Sequence, residues 1–495
     1  MHGPWRRESI VKRKSKILAA TMILACGAAP LRAQTSAEDA QKLQAAYETY
    51  LGKPDVIALT PDGDAYRAQL DLKKLFAPFN VYGFSLDAAP MTWTVKRQAD
   101  GSLLETIDQM PDLHWRTPLE SADLHVESLH ATYILDAALP WLRESQGTAG
   151  KVIEDASAGA TQQTHTEAAQ VEFRQTATAE APGVVTSIEQ YQSGPVHQHG
   201  MIALAAGEPS PIGITIDAAK CGGTRKTTGL QAQKLLDIWT WLVAHPSRET
   251  IAAHQDELKE LIRKASPVFA HADRASAWQD VKIATPYGTL VAAKADLDIA
   301  ADGIIRDGTV HAQLALHDAS LSKASLPAWV GNLVPKEVSL DATLSGYDAP
   351  KAMDVALNAA NFAAQPVLSP DAQTQVWKAL VPGGHLQLVL GPSHLKSSLL
   401  DVEIEGTLNV TAGPPDGALV VKAKGVADLL KAMSAGPQDH LAQQIMLGLI
   451  FVKGYAQTQG DGTLVWHVAF GTAGVTVNGN RLKSLTPAAP RFQLK

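Results

Sequence analysis

Between Ser36 and Gly52, Leu43, Ala46, Tyr47 and Tyr50 fall on one helical stripe. Ser36, followed by Ala37-Glu38-Asp39, supplies an N-cap with acidic first-turn residues, and Gly52 supplies a stop. Then the period changes to two. Tyr66, Ala68, Leu70 and Leu72 alternate with polar neighbours, as do Met91, Trp93 and Val95 before the turn Ala99-Asp100-Gly101. Such alternation marks antiparallel strands with one apolar and one polar face. Residues 146–192 are rich in Ala, Thr, Ser, Gly and Gln, the composition of a linker, yet Val171, Phe173, Val184, Val185 and Ile188 favour weak, exposed strands. Ile212, Ile214 and Ile216 make a clearer strand.

Two consecutive helices are predicted next. The first stripes Leu235, Ile238, Trp239 and Leu242 and stops at Pro246; the second is capped by Ser247 and stripes Ile251, Leu258, Leu261 and Ile262 up to Pro267. Its charged residues, Asp256 to Lys264, read as a solvated face. Beyond this the alternation returns at Ala293–Ile299 and Val310–Leu316. Trp329–Leu344 and Trp377–Leu390 each read as a helix, a Leu-Val-Pro hinge and a strand, the second helix capped by Ser369 with Pro370 in its first turn. The pair suggests a decayed repeat, or a coincidence of common residues. Val426, Leu429, Leu430 and Met433 form a helical stripe, Leu441, Ile445 and Leu449 another, and Leu464–Phe470 a strand before a hairpin at Asn478-Gly479. The expected class is α+β: a large, mainly antiparallel curved sheet with short amphipathic helices on one face. A division into 34–225, β-rich, and 226–495, α+β, is expected, or one continuous domain.

The N-terminus carries a different pattern. Arg6, Arg7, Lys12, Arg13, Lys14 and Lys16 precede an uncharged apolar run from Ile17 to Ala29, and Pro30-Leu31-Arg32-Ala33 leads into polar sequence. These are the parts of a secretory signal peptide over 1–33. The run is too short for a permanent span, which needs about 20 apolar residues. Cleavage is expected between Ala33 and Gln34, giving a periplasmic protein with no transmembrane helix in the mature chain. Ile23-Leu24-Ala25-Cys26 approaches a lipobox, in which Cys26 would be acylated and the protein would become an outer-membrane lipoprotein; bulky Leu24 and the apolar run beyond Cys26 argue against it. Arg6-Arg7 resembles a twin-arginine signal, but Glu8-Ser9 departs from that pattern.

Charge then narrows the partners. The first 33 residues hold seven Lys or Arg and one Glu, so the remainder carries 36 basic and 49 acidic side chains, a net charge of −13. Such a chain repels phosphate backbones, and nucleic acid is not an expected partner. With Cys26 removed, Cys221 stands alone, so neither an intrachain disulfide nor a thiolate metal site is expected.

No catalytic motif is complete. Gly83-Phe84-Ser85 and Gly391-Pro392-Ser393 lack the last Gly of a nucleophile elbow. Ser320/Lys323 and Ser393/Lys396 have Ser-x-x-Lys spacing, but Lys226-Thr227-Thr228-Gly229 has one residue too many for the accompanying Lys-Thr-Gly. Gly222–Thr227 lacks the Gly that precedes the Lys of a phosphate loop and reads as a surface turn. His197 and His199 share one side of a strand, a chelating spacing, but no acidic residue lies near them in sequence. His125 and His130 are expected on opposite sides of a strand, and Asp62-Gly63-Asp64 is too short for a calcium loop. No catalytic residue, cofactor or metal ligand is therefore assigned.

One segment resembles a known family. Val426-Ala427-Asp428-Leu429-Leu430, Gln443 to Leu449, Asp461-Gly462-Thr463-Leu464 and Val477-Asn478-Gly479-Asn480-Arg481-Leu482, within Gly425–Leu482, look like the C-terminal signature of an exported domain-of-unknown-function family of Gram-negative bacteria (family 2125 type). A looser similarity extends to AsmA-like and YdgA-like envelope proteins. The resemblance implies compartment and architecture but no reaction. The leading expectation is a non-enzymatic envelope protein whose sheet presents an apolar face to a lipid or other hydrophobic ligand. The alternatives are an envelope hydrolase with dispersed active-site residues and a scaffold for another envelope protein.

Overall fold

The computed structural model describes residues 35–136, 138–158, 162–202, 212–286, 288–322, 331, 333–411, 415–435, 440–471 and 474–482. Cys26, Ala33 and Gln34, and the helix expected at 329, lie outside these residues.

Helix α1 (Ala37–Leu51) forms as its pattern predicts. Ser36 accepts from the Asp39 N–H, and Gly52 adopts left-handed φ 69 at the C-cap. The hairpin β1 (Ile57–Asp62) and β2 (Ala65–Leu70) follows, turning at Asp62-Gly63-Asp64. Leu72, expected at the end of a strand, instead begins α2 (Leu72–Phe76), because Asp71 caps it by accepting from the Lys74 N–H. A 3₁₀ turn over Ala77–Tyr82 leads to β3 (Ser85–Asp87), β4 (Met91–Arg97), β5 (Leu103–Ile107), β6 (Leu113–Arg116), β7 (Ser121–Glu127) and β8 (His130–Leu135). The linker-like stretch folds as long strands β9 (Leu142–Ala158) and β10 (Gln162–Ala181), then β11 (Val184–Ser193). Next come β12 (Val196–Ile202), β13 (Ile212–Ala218) and β14 (Lys220–Leu230).

Three helices follow: α3 (Ala232–Ala244), α4 (Arg248–Ala253) and α5 (Gln255–Ala265). The expected second helix is thus two, broken at His254, whose N–H donates to the Thr250 and Ile251 carbonyls and closes α4. Strands β15 (His271–Thr285), β16 (Gly288–Asp302), β17 (Arg306–His317), β18 (Ser320–Ser322) and β19 (Glu337–Asp348) lead to α6 (Ala349–Ala359) and α7 (Pro370–Leu380). Then come β20 (His385–Lys396), β21 (Asp401–Thr411), β22 (Asp416–Lys424), α8 (Val426–Ala435) and α9 (His440–Gly454). The chain closes with β23 (Gln457–Thr458), β24 (Leu464–Gly471), β25 (Gly474–Val477) and β26 (Asn480–Arg481).

These strands form one antiparallel sheet, so the fold is α+β and mainly β. Its main ladder runs β1-β2-β4-β5-β8-β9-β10-β11-β14-β15-β16-β17-β19-β20-β21-β22-β24-β25-β26. The longest strands change partners along their length. β9 pairs first with β8 and then with β7, and β10 first with β12 and then with β11. Residues 225 and 226 sit inside β14, paired on both sides, so the sheet runs continuously through that position.

The helices that close the buried cores pack on one sheet face. α1 closes the first core, where Leu43, Tyr47 and Leu51 meet Trp93, Val95 and Tyr133. Trp239 of α3 ties into it, stacking on Phe79 and donating from Nε1 to the Leu51 carbonyl at 3.3 Å. At the far end α8 covers Val402, Val421 and Val468 with Val426 and Leu430. α9 packs on α8 through Ile445 and Leu449, and Trp466 Nε1 donates to the Val452 carbonyl at 2.8 Å. Among the described residues no helix is long and apolar enough to cross a membrane.

Candidate ligand-binding face

Directly paired residues of antiparallel strands share a sheet face, so the register sorts the two sides of the sheet. On the helix-bearing side, Ile299, Ala312, Ala342 and Leu390 stand opposite one another across β16, β17, β19 and β20. Two residues along, Ala301, Val310, Leu344, Leu388 and Leu408 form a parallel row. In the other direction lie Leu297, Leu314 and Leu340, and then Ala295, Leu316, Val338, Leu395 and Val402. A bulge between Ser339/Ala342 and Leu390/His394 keeps the face aligned across β19 and β20.

Each of these rows is apolar. With strands about 4.8 Å apart and about 6.8 Å between alternate residues, the field measures roughly 20 Å by 20 Å. Its centre is not a closed core. Leu297, Ile299, Leu314, Leu344, Leu388 and Leu390 are only partly buried, Leu340 is 48% exposed and Val410, farther along β21, is 37% exposed. Among the described residues, none of these eight belongs to a buried cluster; such clusters lie under α1, at the start of α3 and under α8, and a small one of Ala218, Val281 and Ala295, with Leu316 packed on it, borders the field. In plan the field covers roughly 400 Å², comparable to the largest apolar patch of a typical monomer, about 300–600 Å², which is often functional.

The field has a basic margin. Arg225 of β14 stands opposite Arg274 of β15, which stands opposite Ile299. Both guanidinium groups are thus on the apolar side, at its border. Arg225 faces Glu189 at 3.8 Å, whereas no carboxylate among the described residues pairs with Arg274, whose Nε donates to Ser276 Oγ at 3.3 Å. Ser276 is buried and bonds the Tyr191 hydroxyl at 3.0 Å.

The opposite face is polar and ion-paired. Asp298, Gln313 and Asp341 form one of its rows. His311 meets Asp341 at 3.1 Å, His317 meets Glu337 at 2.9 Å, and Lys422 bridges Glu403 and Glu405. The contrast between the faces follows from the strict alternation of β16, β17 and β19.

The residues singled out for chemistry are scattered. His197 and His199 do share a side of β12, but His197 pairs with Asp217 of β13 at 2.6 Å and His199 with Thr215 at 3.2 Å. The acidic partner that sequence distance hid arrives by strand pairing. His125 and His130 lie on two strands, β7 and β8, rather than on two sides of one, because the chain turns at Ser128 with φ 52. They pair with Asp112 and Asp108. Gly222–Thr227 is not a surface turn: it lies in β14 between β11 and β15, and a Cβ on Gly223 would stand 2.3 Å from the Ala275 carbonyl oxygen. Ser393 and Lys396 are in a strand, so no helical turn brings them together, and Ser393 Oγ instead accepts from the Asp341 N–H at 3.0 Å. Lys323 lies outside the described residues. Cys221 is buried in β14.

Sequence reasoning missed one constellation. His245, at the end of α3, His254, between α4 and α5, and Glu257 of α5 offer ligand atoms within 4.8 Å of one another. Only the His254/Glu257 spacing of one helical turn was visible in the chain.

Compared with known proteins, the chain matches no family model, no curated protein and no solved structure.

Proposed function

We propose that the protein is a non-enzymatic binder of lipid, holding acyl chains on the apolar field and an anionic headgroup at Arg225 and Arg274. The observation that carries this reading is the set of apolar rows across β16–β21 left without a buried cluster over their centre. An acyl chain is the ligand class that matches a flat, extended, featureless hydrocarbon surface. Covering about ten methylenes contributes about 8 kcal/mol before an association cost of at least about 4 kcal/mol is subtracted, so one acyl chain alone binds weakly and the headgroup contact has to add to it. The paired guanidinium groups suit a phosphate, which accepts their N–H donors in a planar fork.

The signal-like N-terminus and the resemblance to exported AsmA-like and YdgA-like proteins support a place in the cell envelope, where such a ligand is abundant. α9 adds to this reading. Leu447, Ile450, Phe451 and Val452 are exposed on it at 66%, 53%, 42% and 48%, an apolar surface suited to contact with a bilayer.

Native mass spectrometry of the full chain purified from envelope fractions tests the proposal. The expected spectrum contains the chain with a phospholipid mass attached, lost on collisional activation. A bare chain, under conditions that preserve a known lipid carrier's complex, contradicts it.

A further inference from the structure

We infer that His245, His254 and Glu257 form a binding site for a zinc-class divalent cation, with three protein ligands and a fourth position open to solvent. Two segments bring these side chains to one point: the end of α3, with His245, and the α4–α5 junction running into the first turn of α5, with His254 and Glu257. One imidazole nitrogen from each His and one carboxylate oxygen lie within 4.8 Å of one another. Two His and one carboxylate, with an open position, is a donor set that Zn²⁺ accepts.

The surroundings orient the ligands. His245 Nδ1 lies 2.7 Å from the Trp241 carbonyl oxygen, which can only accept, so Nδ1 carries the proton. Nε2 is then the basic lone pair. The Trp241 ring stacks on the His245 ring at 3.9 Å, fixing its plane. Trp241 Nε1 also donates to Glu257 Oε2 at 3.2 Å, leaving Oε1 facing His254 Nδ1 at 3.2 Å. That last distance is close to the edge of a tetrahedron built on ~2.0 Å metal bonds, about 3.3 Å. Trp241 thus supports two of the three ligands, the role outer-shell partners play at metal sites. His254 and Glu257 are 49% and 60% exposed, so a hydrated ion reaches them without rearrangement of the fold.

Bound metal would tie the end of α3 to α5 across the His254 break. This gives the break a use: a continuous helix over 248–265 would place His254 on a regular turn instead of at a junction.

The test is titration of the full chain with Zn²⁺ by calorimetry, with Co²⁺ as a spectroscopic probe. The chain has 16 His, many in exposed pairs with Asp, so the comparison is between variants. We expect one saturable site per chain and a Co²⁺ ligand-field band of low-coordinate type. Glu257→Gln and His254→Ala should each weaken it at least ~tenfold, and Trp241→Phe, which keeps the stacking ring but removes the donor, should weaken it less. His197→Ala, at an exposed pair elsewhere, should leave it unchanged. The inference is overturned if no saturable site appears, or if Glu257→Gln and His254→Ala, folded by circular dichroism, bind as the parent does.

Discussion

The Tyr47 hydroxyl of α1 donates a hydrogen bond to the Glu105 carboxylate of β5, 58 positions away and inside the first core. Glu105 is 4% exposed, and burial pushes its pKa up to about 7, the Tyr47 hydrogen bond offsetting part of the rise. Trp93 Nε1 is also close enough to offset it, although it is not aligned as a hydrogen bond. The same buried carboxylate contributes to raising Tyr133 to about 12, after burial itself.

This pair predicts an unusual pH dependence. The folded Glu105 holds its proton to higher pH than the unfolded one, whose value is 4.5. Between those values the folded state binds more protons, so stability falls as pH rises through the window. Glu105→Gln keeps a partner for Tyr47 without the charge. It should stabilise the protein by about 1–3 kcal/mol near pH 8, and by little near pH 4, as read from chemical denaturation at both values. Equal effects at the two pH values would contradict the account.

The cross-strand pair of His271 and Asp302 acts in the same direction on the surface. His271 bonds Asp302 at 2.8 Å and Asp273 at 3.0 Å, and Asp302 chiefly raises its pKa. A raised His contributes stability below its unfolded value, and that contribution is lost as pH rises through the folded value. Asp302→Asn should lower the His271 pKa, followed by NMR titration of its ring protons. The stability change should be small, because the pair is solvent-screened.

Gly425 opens α8 at φ 84, and a Cβ there would stand 1.7 Å from the Leu399 carbonyl oxygen. Gly425→Ala therefore combines a left-handed backbone with a clash against main chain. We expect a loss of at least about 2 kcal/mol and selective loosening of α8 and α9, seen as faster proteolysis within 426–454. Unchanged proteolysis and melting would show that the junction can shift without cost.

Much of this architecture was legible because capping and alternation are local. Ser36, Gly52, Ser247 and Ser369 mark helix ends where the chain itself supplies the hydrogen bonds. The Ala349–Ala359 helix went unread although Asp348 caps it and Pro350 sits in its first turn, since its Ala-rich stripe carries little contrast. The break at His254 was hidden because Ile251 and Leu258 keep helical spacing across it. Strands β9 and β10 lack strong alternation, their small polar residues being held by neighbours on both sides.

The site was legible only in part. Alternation in β16, β17 and β19 shows that each strand has an apolar side, but not whether that side is covered. The joining of Leu297, Leu314 and Leu340 into one row depends on register, and the placement of Arg225 beside Arg274 and Ile299 depends on long-range pairing. The cation cluster needed the α3–α5 packing to bring His245 to residues it does not neighbour in sequence.

Whether the apolar field holds lipid is read by transfer of a phospholipid with a fluorescent acyl chain from vesicles to the full chain and to Leu314→Glu. Leu314 sits mid-field and outside the buried clusters, so the variant should fold and melt like the parent. Saturable transfer to the parent is expected, with at least tenfold weaker transfer to Leu314→Glu, about 1.4 kcal/mol. Equal transfer to both proteins, or none to either, would contradict it.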